Sequence, residues 1–69
     1  MNHKLLKELR LERGFTQKEM ADALGYAGKS GYNMLETGNV GSVSVEISMR
    51  IKAKLQLSEK EYRRIFLEG

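Results

Sequence analysis

Two capping boxes frame this chain. Thr16-Gln17-Lys18-Glu19 reads T-x-x-E, and Ser58-Glu59-Lys60-Glu61 reads S-x-x-E. In each, the hydroxyl takes up the backbone N–H three residues on. The glutamate reaches back to the backbone N–H of the hydroxyl residue, so each box marks a helix start. Glycines mark the stops: Gly14, Gly25 and Gly38 each follow a segment of helical spacing, where a helix readily ends. There is no proline. This punctuation leaves room only for short helices. The predicted fold is all-α, a compact bundle of five short helices with no strand.

The first helix covers about 3–13, with Leu5, Leu6 and Leu9 on one face and Leu11 pointing away from it. The second, about 17–24, turns Met20, Ala21 and Leu24 inward, and Phe15 is placed for a hydrophobic staple. The third begins after Gly28. At about 100° per residue, Gly31, Tyr32 and Leu35 fall on one side and Lys29, Ser30, Asn33 and Met34 on the other. Gly31 lies inside that helix, where glycine is unfavourable. The fourth, about 45–55 with Ser44 as N-cap, has a polar arc of only Glu46, Arg50 and Lys54. Val45, Ile47, Met49, Ile51, Ala53 and Leu55 cover most of the rest, which predicts burial on more than one side. The fifth, about 59–67, carries a stripe of Tyr62, Ile65 and Phe66.

At 69 residues the chain is expected to be one domain, 1–69, and a domain of this size is marginally stable on its own. With no cysteine, a disulfide cannot help; a partner subunit can. Ile47, Ile51, Tyr62, Ile65, Phe66 and Leu67 are more apolar residues than one small core needs, and they are assigned to a dimer or partner interface. No apolar run approaches the ~18 residues of a membrane span. The start, "MNHKLLKELR", has no apolar core of a secretion signal. A cytoplasmic location is expected, in a bacterial cell or a phage-infected host.

Gly28-Lys29-Ser30 completes a phosphate-loop signature, with Ala23 where its first glycine belongs. That loop requires a preceding strand, whereas "TQKEMADAL" is a capped helix, and the reading fails. His3 is the only histidine and is expected to be solvated at a fraying terminus. No Cys, His or Asp cluster has metal-ligand spacing, and no carboxylate pair marks acid–base chemistry. An enzyme is not expected, nor is a cofactor or small-molecule ligand.

Residues 17–36 instead have the organisation of a helix-turn-helix. Ala21 is the small residue where the helices cross, Gly25 turns the chain, and Tyr32 and Leu35 anchor the following helix. The stretch "LKELRLERGFTQKEMADALGY…SGYNMLETG" resembles the Cro/repressor helix-turn-helix family of phage and bacterial regulators. The matching groups are Leu9-Arg10, Gly14-Phe15-Thr16-Gln17, Glu19-Met20-Ala21, Leu24-Gly25 and Leu35-Glu36-Thr37-Gly38. The resemblance implies a lambda-repressor-like, five-helix DNA-binding domain that acts as a dimer. It also implies that Lys29, Ser30, Asn33 and Met34 face bases, and that Gln17, Lys18, Thr37 and Asn39 face the DNA backbone. Asn33 is the candidate for adenine. Arg10 and Glu36 match a pair that ties the first helix to the third.

The charge departs from that pattern. The chain is +3, but residues 15–41 hold Lys18 and Lys29 against Glu19, Asp22 and Glu36, a net −1, and the loop "TGNVGSVS" has no basic residue. Neutralising phosphates supplies much of the affinity of DNA-binding proteins. Two functions therefore stay open. One is a Cro-like repressor of a phage or mobile-element switch that binds a double-stranded operator as a homodimer. The other is an anti-repressor, modulator or antitoxin-like protein on the same fold that acts on a partner repressor.

Overall fold

A computed structural model of the chain describes residues 1–67. They form five α-helices: α1 (His3–Glu12), α2 (Gln17–Leu24), α3 (Lys29–Thr37), α4 (Val45–Leu55) and α5 (Glu59–Phe66). Both capping boxes close. Glu19 N–H donates to Thr16 Oγ1 at 3.0 Å and Thr16 N–H to Glu19 Oε1 at 2.8 Å. Glu61 N–H donates to Ser58 Oγ at 3.1 Å and Ser58 N–H to Glu61 Oε1 at 2.9 Å. Ser44 caps α4 through Ile47 N–H at 3.1 Å.

The turn between α2 and α3 depends on Gly25, whose φ of 80° is reached at little steric cost only without a Cβ. Tyr26 N–H then donates back to the Ala21 carbonyl at 2.9 Å, closing the Schellman-type end of α2. Helix α4 ends in the same way, with Leu57 N–H on the Lys52 carbonyl at 2.9 Å. There the left-handed residue is Gln56, φ 53°. A glutamine gives no sequence signal for such a stop.

Helix α2 packs against α3 and α4, and α1 against α3 and α5. Between them lie the fully or nearly fully buried Leu6, Leu9, Met20, Ala21, Leu24, Tyr32, Leu35, Ile51, Leu55, Leu57 and Ile65. Two expectations change here. Ile51 and Ile65 are completely buried in this core, so neither belongs to an interface; five short helices need both to fill one interior. Helix α4 is not buried on more than one side either. It buries Ser48, Ile51 and Leu55 and leaves Val45 76% and Met49 47% exposed, because it packs on α2 and, through Ser48 and Lys52, beside α5, and among the described residues no helix covers its far side.

The N-terminus is also anchored. Asn2 caps α1 through Leu5 N–H at 3.1 Å, and its own N–H donates to the Ile65 carbonyl at 2.7 Å. His3 is half-buried, and its Nδ1 donates to the Leu35 carbonyl at 2.6 Å. The solvated, fraying histidine expected from position alone is therefore a bridge from α1 to α3. Arg13 adds a second tie, donating to both oxygens of Glu61 at 2.9 and 3.0 Å.

Gly31 makes no close approach. A Cβ there would sit 3.5 Å from the Tyr26 ring, an ordinary van der Waals distance. Gly31→Ala is therefore expected to raise stability by about 0.5–1 kcal/mol, or several degrees in Tm. Thermal unfolding of the two proteins checks this; a lower Tm for the alanine variant contradicts it.

Candidate nucleic-acid interface

The outward side of α3 presents Lys29, Ser30 and Thr37 as exposed residues, Met34 at 44% exposure and Asn33 half-buried. Beside it stands the start of α2, with Lys18 exposed and Gln17 half-buried. Gln17, Lys18 and Lys29 line one shallow groove of about 770 Å³ that also reaches Arg10 and Phe15. The first turn of α2 opens toward it, and the free N–H groups of a helix start favour anions. At the other end of α3, Asn39 Nδ2 donates to Thr37 Oγ1 at 3.0 Å.

A buried ion pair holds these two elements together. Arg10 Nε donates to Glu36 Oε2 at 2.6 Å and another of its nitrogens to Glu36 Oε1 at 3.1 Å. A third donates to the Phe15 carbonyl at 2.7 Å. The side chains are only 7% and 2% exposed. One guanidinium thus fixes α1, the entry to α2, and α3. Gln17 joins the pair, its Nε2 donating to Glu36 Oε1 at 3.2 Å and to Asn33 Oδ1 at 2.8 Å.

Burial alone would push the Glu36 carboxyl up, but the Arg10 hydrogen bonds, the neighbouring Tyr32 hydroxyl and the Gln17 amide outweigh it and hold the group below its ordinary value. Arg10 is raised in turn, chiefly by its bond to Glu36. The Tyr32 hydroxyl is fully buried without a hydrogen-bond partner among the described residues. It lies near enough to Glu36 to feel its charge: burial first, then the carboxylate, raise it well above the ordinary tyrosine range.

The ion pair alters the charge of the face. Glu36 is neutralised inside the protein by Arg10, and Lys18 lies 3.3 Å from Asp22. Lys29 has no carboxylate partner among the described residues, so it carries the positive charge of the α3 face. No His, Cys, Asp or Glu cluster among the described residues is arranged to hold a metal. None of the described helices is long and apolar enough to cross a membrane.

A protein-family model described as helix-turn-helix matches residues 6–62. The chain belongs to the Cro/repressor-type helix-turn-helix family. This is a family of DNA-binding transcription regulators and not of enzymes. A protein of Bacillus subtilis (strain 168), named as an uncharacterized HTH-type transcriptional regulator, YqaF, is 46% identical over 55 residues, which is 80% of this chain and 70% of that protein. No solved structure matches the chain. Within the family frame, α2 and α3 are the helix-turn-helix. The Gln17–Glu36–Asn33 connection was not visible in the sequence, since it joins positions 16 and 19 residues apart with no local pattern.

The residues assigned to an interface divide. Ile51 and Ile65 lie in the core, and Tyr62 packs within the chain, its hydroxyl 2.7 Å from Ser48 Oγ and its ring 5.1 Å from that of Phe66. Ile47 and Phe66 are half-buried. Leu67, 69% exposed, shares a cleft of about 120 Å³ with Met1, Val43, Val45 and Phe66. Val45 and Met49 belong to this exposed apolar side of the molecule, where the sequence pattern predicted burial on more than one side of the helix.

Proposed function

We propose that this protein is a Cro-like repressor of a phage or mobile-element switch, acting in the cytoplasm on a pseudo-palindromic operator. Helix α3 enters the major groove with Lys29, Ser30, Asn33 and Met34 toward the bases. The start of α2 at Gln17 and Lys18, with Thr37 and Asn39, meets the backbone. The observation that carries this reading is the buried Arg10–Glu36 pair, which locks the entry of α2 to α3 and so fixes one DNA-facing surface before any DNA arrives.

The size of the domain suits a dimer. The described residues span 28 × 23 × 20 Å, while successive half-sites on one face of DNA lie about 34 Å apart. In this reading one copy covers one half-site and a second copy the other, and the exposed apolar side with Val45, Met49 and Leu67 supplies a surface for pairing.

Binding to the DNA upstream of the protein's own gene, measured from about 50 to 200 mM salt, tests this. With Lys18 and Lys29 as the basic side chains of each copy's face, a dimer is expected to give a log K against log salt slope of about −3 to −4. No saturable binding at the lowest salt defeats the repressor reading.

A second reading is favoured by the same apolar surface and by the sparse positive charge of α3: a modulator that docks on a partner repressor. It requires co-elution with the product of a neighbouring repressor gene in gel filtration at micromolar concentration. Separate elution rejects it.

A further inference from the structure

We propose that the groove between the end of α1 and the start of α2 docks an acidic, amphipathic helical segment of a partner protein, and that this segment and DNA exclude each other. The exclusion rests on the reading of this face as DNA-facing; the docking does not. The groove has an apolar floor. Leu11 is 57% exposed and Phe15 half-buried, with Gly14 between them in the chain. A Cβ added at Gly14 would meet nothing within 4 Å, so the floor is open from one side chain to the other. The rim is basic. Lys18 and Lys29 line the groove, and no Asp or Glu does. Lys7 lies one turn before Leu11 on the same side of α1, exposed and with no carboxylate partner among the described residues. Lys54 Nζ stands 4.7 Å from the centroid of the Phe15 ring and adds a cation behind the floor.

Floor and rim together select the occupant. A DNA backbone uses the lysines, but a row of phosphates gains little from Leu11 and Phe15. A wholly apolar partner would cover Lys18 and Lys29 and give them no counter-charge, which is costly. An amphipathic helix with Leu or Phe at i and i+4, and Glu or Asp beside them, satisfies both. Its apolar side chains lie over Leu11 and Phe15, and its carboxylates meet the lysines. The other apolar surface offers a contrast: no charged side chain lines the cleft at Val45 and Leu67, which suits a second copy of the chain and not an acidic partner. Lys18 and Lys29 serve the groove and the DNA-facing surface alike. A segment bound in the groove therefore takes away the cations that DNA needs, and a partner carrying it acts by releasing the protein from DNA.

The test begins with a displayed library of helical peptides that carry Leu or Phe at i and i+4 and Glu, Asp, Lys, Arg or Ala elsewhere. The expected result is enrichment of peptides with net negative charge. Added to isotope-labelled protein, an enriched peptide is expected to shift NMR signals of Leu11, Phe15 and Lys29, and to bind more weakly as salt rises. Leu11→Ser removes an exposed side chain, and circular dichroism confirms its fold. It is expected to weaken the peptide about tenfold and to leave DNA affinity within about twofold, since Leu11 makes no phosphate or base contact. No enrichment, or enrichment of neutral or basic peptides, overturns the docking site. So do shifts at Val45, Met49 and Leu67 in place of Leu11, or an unchanged affinity in Leu11→Ser. In competition, the peptide is expected to displace DNA from the wild type and not from Leu11→Ser. A complex holding peptide and DNA together overturns the exclusion. If the protein binds no DNA, the repressor reading and the exclusion fall together, and the peptide arms alone decide the docking site.

Discussion

Arg10→Met is expected to destabilise the protein by about 3–5 kcal/mol, because it leaves a buried carboxylate without its counter-charge. Glu36 is 2% exposed at its side chain, so water does not replace the lost partner. The Phe15 carbonyl loses its donor as well. A chain of this length has roughly 3–10 kcal/mol of total stability, so the loss takes away about a third or more of it. Urea unfolding followed by far-UV circular dichroism measures it. Replacing both partners, Arg10→Met with Glu36→Leu, is expected to recover much of the loss, since apolar residues of similar volume substitute well for a buried ion pair. Recovery is incomplete because Gln17 loses its acceptor. A single variant within about 1 kcal/mol of the wild type would mean that the pair is solvated and that nothing locks α2 to α3.

The same pair sets the acid limit of the fold. Glu36 is held below its ordinary value of 4.5, so the unfolded chain takes up its proton first as pH falls. Its contribution is complete above pH 4.5 and is lost as pH drops through the lowered folded value. Glu61 acts in the same direction, held low by the Ser58 backbone N–H and then by Arg13. Stability is therefore expected to be level from neutral pH down to the carboxylate range and to fall below it. The fall is expected to be shallower in Glu36→Gln.

Ile51→Ala is expected to remove about 2–5 kcal/mol, the range for truncating a fully buried isoleucine. The loss should be the same at every protein concentration, because Ile51 is enclosed by its own chain. A loss that grows or shrinks with concentration would place Ile51 in a subunit seam. Leu67→Ser provides the contrast. An exposed apolar residue contributes little to the monomer, within about 0.5 kcal/mol. Its replacement is expected to weaken self-association seen by sedimentation at ~100 µM while leaving dilute Tm unchanged.

The two isoleucines show where sequence reading stops. Helix starts were legible because capping is local: Thr16 with Glu19, Ser44 with Ile47, and Ser58 with Glu61 each act within one turn. Stops at Gly25 and Gly38 were legible for the same reason, since both adopt positive φ. Periodicity identified the apolar faces of α2 and α3. It could not say how many neighbours a face meets, so α4 was read as more enclosed than it is, and Ile51 and Ile65 were assigned outward. Non-local polar contacts left no local pattern in the sequence: the Arg10–Glu36 pair was expected only through the family resemblance. His3 on the Leu35 carbonyl and Gln17 between Glu36 and Asn33 join residues that only the packing of α1, α2 and α3 brings together.

In the proposed function the α2 entry and the outer side of α3 form the DNA-facing surface. This is tested most directly by ¹⁵N NMR titration of the protein with DNA from its own upstream region at ~50 mM salt. The expected result is that backbone amides at Gln17 and Lys18, and from Lys29 to Thr37, shift most, while Val45, Met49 and Leu67 stay in place or report only pairing of two copies. Shifts confined to the Val45, Met49 and Leu67 surface, with α3 unmoved, would contradict it.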